Sequence, residues 1–238
     1  LSIAQEIEEI FLARIFTHSS GIEMPYRLFI PKDYNQTNLY PIILYLHGGG
    51  GTGTDNIKQI TGYNTNGTHV WLTPENQAKY PTFVVAPQSP GRYRWNTWDS
   101  PQLSLIAQVA MELLKALMRE FKIDPDRVYL TGQSRGGYGT WDIVSKCPDF
   151  FAAAVPLCGG GNSQTVETIR NVPIWAFHGA EDQYVAVESS RRMVEALRKI
   201  GGNIRYTEYP NFGHNVADTA YLEPELIEWL FAQKRQNK

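Results

Sequence analysis

Ser134 stands in Gly132-Gln133-Ser134-Arg135-Gly136. A serine hydroxyl is a weak nucleophile until a base takes its proton, and the base needs a carboxylate to fix its tautomer and stabilise its charge. G-x-S-x-G between a strand and a helix is the sharp turn that exposes such a serine, with glycines where backbones crowd. The sequence must therefore supply a histidine and an acid. Of the five histidines, His18 and His69 read as solvated turn residues. His47 and His178 each end a strand in a His-Gly pair and read as side chains that satisfy backbone groups. His214, in Asn211-Phe212-Gly213-His214-Asn215 between the last strand and the last helix, is the candidate base. The candidate acid is Asp182, in the loop after the strand ending at Phe177, with Glu181 as fallback. Asp142 and Asp218 read as solvated or helix-capping.

These residues need a scaffold that brings three strand ends together. Residues 41–46, 82–86, 128–131, 152–157 and 172–177 are short, continuously apolar runs, the mark of strands buried on both faces. Residues 10–17 and 26–30 read as an opening antiparallel pair, and 204–209 as the last strand. Helical periodicity covers residues 101–121, the stretch from the serine turn to Cys147, 188–200 and 221–233. Residues 61–80 are polar and irregular, broken at 63–67, and read as surface loop. Strands alternating with helices predict an α/β chain with a mostly parallel sheet covered on both faces. Such sheets carry their chemistry at the carboxyl ends of the strands. Neither a repeat nor a linker interrupts the pattern, so residues 1–238 are expected to form one domain.

The run His47-Gly48-Gly49-Gly50-Gly51-Thr52-Gly53 supports two readings. Gly48, Gly50 and Gly53 formally match a dinucleotide fingerprint. The helix that should follow is poor, and there is no Lys-Ser/Thr pair. The alternative is a loop whose bare N–H groups face a developing negative charge.

His47-Gly48-Gly49-Gly50, Gly132-Gln133-Ser134-Arg135-Gly136-Gly137, His178-Gly179-x-x-Asp182 and Gly213-His214 together resemble an α/β-hydrolase. They are similar to the small secreted-type carboxylesterases grouped with dienelactone hydrolase, feruloyl esterases and polyhydroxybutyrate depolymerases. The resemblance runs from Tyr26 onward. It implies Ser134 as nucleophile, His214 as base and Asp182 as its orienting acid, with an oxyanion hole from the N–H groups of Gly49 and Arg135. It implies a serine carboxylesterase acting on short-chain or aryl esters, or a feruloyl or acetylxylan-type esterase on plant polysaccharide. A serine peptidase, a nucleotide-dependent enzyme and a non-catalytic binding protein are the rivals. One departure stands out. The position after the serine is often apolar in such enzymes, and here it is Arg135, whose charge must find a carboxylate or water.

Composition narrows the partners. The chain has 238 residues, 42% hydrophobic and 19% charged, with net charge −2 and no basic block. Nucleic acid and anionic membrane are not expected partners. Nothing calls for a metal or cofactor, and two cysteines, Cys147 and Cys158, cannot build a zinc site alone. The start at Leu1 reads as a processed or trimmed product, and a secreted or periplasmic location is expected over a cytoplasmic one. Tyr93, Trp95 and Trp98 follow the strand ending at Ala86. They are candidates to line a substrate pocket, or to anchor a long loop to the core. The short stretch between Leu157 and Val172 leaves no room for a large lid, so an open site is expected.

Overall fold

The computed structural model describes residues 3–62 and 65–235. Eight strands form one sheet: β1 (Leu12–Thr17), β2 (Glu23–Phe29), β3 (Tyr40–Leu46), β4 (Phe83–Pro87), β5 (Ile123–Gln133), β6 (Ala153–Leu157), β7 (Ile174–Gly179) and β8 (Ile204–Tyr209). Their order across the sheet is β1-β2-β4-β3-β5-β6-β7-β8. β1 pairs with β2, and β2 with β4, in antiparallel register. Every pairing from β4 to β8 is parallel.

The apolar runs bury both faces because alternate side chains enter opposite cores. Ile42, Leu44 and Leu46 of β3 point to the layer of the Leu105–Glu120 helix, where Val109, Leu113 and Leu117 lie buried. Ile43 and Tyr45 point the other way, onto Trp71, Tyr221 and Phe231. Ser104 caps the Leu105–Glu120 helix by accepting from the Ala107 N–H. Between β6 and β7 lies one short helical segment, Ser163–Ile169, so the expected absence of a large lid holds for the described residues.

Four expectations are corrected. A helix, Ile3–Ile10, precedes β1, so Ile10 ends a helix instead of opening a strand. The region read as surface loop contains the short helices Asn66–His69 and Pro74–Lys79 and a 3-10 turn, Val70–Leu72. That segment is held down by the fully buried Trp71, whose Nε1 donates to Gly67 O at 2.7 Å. Of the proposed breaker, 63 and 64 lie outside the described residues. The final helical stretch divides into Ala217–Tyr221 and Leu226–Ala232. His18, read as solvated, is buried and lies 3.2 Å from Glu112.

Candidate active site

Ser134 joins the end of β5 to the helix Arg135–Lys146. Its backbone is turned to φ 55° and ψ −117°, a conformation L residues seldom adopt. Two bonds hold the turn. The Ser134 N–H donates to Leu157 O at the end of β6, and its own carbonyl accepts from the Tyr138 N–H, each at 2.9 Å. The helix packs hard against the sheet beyond it. A Cβ on Gly136 would lie 1.8 Å from Leu46 O, so any side chain there would push the helix off β3.

His214 follows β8 in the turn His214–Val216. Its Nε2 is 2.8 Å from Ser134 Oγ, and its Nδ1 is 2.7 Å from Asp182 Oδ2. A carboxylate can only accept, so Nδ1 carries the proton and the Nε2 lone pair faces the serine hydroxyl. Asp182 follows β7. Its other oxygen accepts from the N–H groups of Tyr184 and Val185, both at 2.9 Å. Burial drives its pKa up, but the bonds from Val185, His214 and Tyr184 outweigh that and hold it below the usual carboxylate value. The Asp182 side chain is fully buried, whereas His214 keeps an edge in solvent.

The glycine run leaves β3 and forms the 3-10 turn Gly49–Gly51. Gly49 is the first residue of that turn and Arg135 the first of its helix, so neither N–H has an acceptor within its own element. The two residues adjoin, a Cβ on Gly49 falling 3.6 Å from Arg135 Cδ. Ser134, His214, His47 and Gly48 to Gly51 line an open cavity of about 420 Å³. Tyr184, Lys58 and Gln59 also line it, and the sequence singled out none of them. Tyr184 could have been found: it lies two residues beyond Asp182, and its exposed ring sits 5.3 Å from the His214 ring.

The two strand-ending histidines hold this machinery from below. His47 Nδ1 donates to Gly48 O (2.6 Å), and its Nε2 accepts from the Ser89 N–H (2.9 Å). Burial draws its pKa down to about 4, against a smaller opposing pull from the Gly48 bond. His178 is buried with Nδ1 2.7 Å from Ser190 Oγ. Its Nε2 lies 3.0 Å from Val185 O and 3.3 Å from Asp182 Oδ2.

The two tryptophans part company. Trp95 is 1% exposed. Its Nε1 donates to His47 O and its ring packs edge-on against that imidazole. Trp95 is therefore corrected from a candidate pocket wall to the anchor of its loop, because an indole sealed in the core offers a substrate no surface. Trp98 is 52% exposed and packs edge-on against Tyr138, outside the cavity that Ser134 lines. Asp142, read as solvated, is buried and paired with Lys146 at 2.8 Å. Arg135 finds no carboxylate among the described residues; it donates to Thr52 Oγ1 and Tyr93 O.

Comparison with known proteins agrees with this architecture. The chain is 31% identical over 142 residues to the bifunctional acetylxylan esterase/xylanase XynS20E of Neocallimastix patriciarum, covering 60% of this chain and 19% of that protein. It spans about a fifth of the length of the first two curated relatives it matches. A solved thermostable esterase superimposes with a TM-score of 0.91 at 41% identity, over 97% of this chain and 64% of the other. A feruloyl esterase module from Clostridium thermocellum shares the fold at 16% identity, with a TM-score of 0.72 over 96% of this chain and 89% of that one. No helix among the described residues is long and apolar enough to cross a membrane. Residues 17–200 match the Esterase family ("Putative esterase"), and a chain so matched over most of its length, with an α/β-hydrolase sheet beneath it, belongs to that esterase family.

Proposed function

We propose that this chain is a serine carboxylesterase that cleaves carboxylic esters through an acyl-enzyme on Ser134. One observation carries the reading: the continuous relay from Ser134 Oγ through His214 to the buried Asp182, with links of 2.8 and 2.7 Å. His214 Nε2 takes the hydroxyl proton as Ser134 Oγ attacks the ester carbonyl carbon. The carbonyl oxygen becomes an oxyanion, which the N–H groups of Gly49 and Arg135 receive. Collapse of the tetrahedral intermediate breaks the bond to the alkoxy oxygen. The proton returns from His214 to the departing alcohol. Water then repeats the sequence on the acyl-enzyme, delivering its proton to His214 and releasing acid and free serine. Asp182 keeps its charge and stabilises the imidazolium in both halves.

The finer reading is a short-chain or aryl ester, including acetyl or feruloyl groups on plant polysaccharide. The open cavity supports it, as do the acetylxylan esterase and feruloyl esterase among the similar proteins. We take residues 1–238 as one catalytic domain needing neither metal nor cofactor. A secreted location is supported by a relative of Arthroderma benhamiae described as a secreted protein. The test is hydrolysis of p-nitrophenyl esters from acetate upward, with methyl ferulate alongside. Ser134→Ala should lower kcat by roughly 10⁴-fold or more while unfolding stays cooperative. Retained serine-independent turnover would remove the proposal.

A further inference from the structure

Arg135 is the side chain for which the esterase chemistry has no use, since only its N–H faces the oxyanion. Its stem passes Gly49 and its guanidinium reaches across to the loop between β4 and the Leu105–Glu120 helix. A guanidinium carries five N–H donors, and Arg135 spends two, on a hydroxyl and a carbonyl, both uncharged. Arg94 stands on the same side and lines the same cleft. Neither arginine has a carboxylate partner among the described residues. Burial and then the Arg94 charge lower the Arg135 pKa, so the two cations sense each other. A pin for the loop would need no charge. A half-buried, uncompensated cation beside a second one is costly unless an anion arrives.

The cleft that these cations line has a volume of about 410 Å³. Gly91, Asn96, Trp98 and Tyr138 complete its walls. Trp98 is the most exposed tryptophan face available to a ligand, and two further grooves meet at it. Carboxylates lie nearby without entering the cleft. Asp99 faces those other two grooves, and Asp142 is occupied by Lys146. The chain as a whole carries net charge −2, so this cationic cleft runs against the background. It begins one residue from Ser134, on the far side of Arg135 from the glycine-lined cavity.

We propose that the Arg94–Arg135 cleft binds a carboxylate borne on a ring, with the carboxylate held by the two guanidinium groups and the ring laid against Trp98. This rests on the esterase reading of Ser134, and it makes the ring acid the part of the substrate beyond the scissile ester. The paired, flat N–H donors of arginine match the two oxygens of a carboxylate. Trp98, edge-braced by Tyr138, offers a fixed apolar face to a sugar or an aryl ring. Both a uronic acid within a polysaccharide and an aromatic acid present this chemistry.

The test is equilibrium binding to the Ser134→Ala protein, read by ligand-observed NMR. Two acid–neutral pairs serve as probes: glucuronate against glucose, and 4-hydroxybenzoate against phenol. The acid of at least one pair should bind about tenfold or more tightly than its neutral twin, the gain expected of a charge-assisted contact. The preference should shrink between 50 and 500 mM NaCl and fall to near unity in Arg94→Gln. Arg94 is exposed, so that variant leaves the fold intact; Trp98→Ala should weaken both members of the favoured pair. A preference confined to glucuronate identifies an acidic saccharide, and one confined to 4-hydroxybenzoate an aryl acid. Equal binding of acid and neutral twins overturns the proposal, as does a preference that survives Arg94→Gln. Because nothing is hydrolysed, failure of the esterase assay and failure of the cleft are read separately.

Discussion

The chain ends two of its strands with the same dipeptide, His47-Gly48 after β3 and His178-Gly179 at the end of β7, and uses them differently. Both imidazoles are buried. His47 meets one carbonyl and one N–H, so its partners admit a single neutral tautomer. A second proton would set an N–H against the Ser89 N–H. His178 meets Val185 O and Asp182 Oδ2 on one nitrogen and a hydroxyl on the other. A hydroxyl can accept as well as donate, so those partners tolerate either protonation state, and burial is what favours the neutral one. One histidine is an uncharged strut beneath the glycine turn; the other braces the carboxylate that is bonded to His214. Identical sequence pairs thus acquire different electrostatics from what the fold packs against them.

The sharpest way to break this comparison is at the glycines. A Cβ on Gly179 would lie 2.3 Å from Phe212 O and 2.4 Å from Gly213 O, backbone atoms of the loop carrying His214. Gly179→Ala should therefore displace the base and lower kcat/KM by at least about 100-fold, measured beside the melting temperature. The His47 strut predicts an acid-sensitive fold. Its folded pKa, about 4, lies below the unfolded value. Its contribution is thus complete above pH 6.5, erodes as pH falls and is gone below pH 4. That window is worth about 3 kcal/mol. Urea unfolding at pH 7.5 and 4 should show a shallower loss in His47→Gln than in the parent; an equal loss in both would show that another group titrates.

Loss of the brace beneath Asp182 should cost less than loss of the base. His178→Ala should lower kcat by about tenfold to a hundredfold with KM little changed, and an unchanged kcat would leave His178 a packing residue only. The smallest effect belongs to Gly48→Ala. Its added methyl meets Gln133 O at 3.3 Å and Ser134 Cβ at 3.5 Å, contacts that a shift of tenths of an ångström relieves. Stability should fall by about 1 kcal/mol or less, and activity should survive at a reduced level.

The parts of the fold legible in the sequence are those encoded by short-range pattern. Strands buried on both faces are apolar throughout, and that pattern located β3, β4, β6, β7 and the buried second half of β5; β8, partly exposed along its length, carries no such run. That Ser134, Asp182 and His214 would meet could be read because each follows its own strand, and a parallel sheet brings strand ends together. Trp71 shows where pattern fails. It sits with Ile60 and Val70 in the core, too few and too irregularly spaced among polar neighbours to show a period. Trp95 fails for the opposite reason: an indole beside arginines and prolines looks like a binding surface until His47 O is found to accept its N–H. Arg135 could be flagged as needing a partner, but the absence of a carboxylate there is a fact of three-dimensional packing.

The loop between β4 and the Leu105–Glu120 helix has a further consequence, for how such an enzyme can change. Its fastenings include Trp95 beneath the glycine turn, Tyr93 O, which accepts from Arg135, and Thr97, which donates to Asp142 and accepts from Lys146. Beside those rivets, Arg92, Arg94 and Trp98 are exposed side chains that belong to neither core. Mutation can rewrite that fringe and leave the relay untouched, so heritable novelty in what the protein recognises has an address separate from what it does.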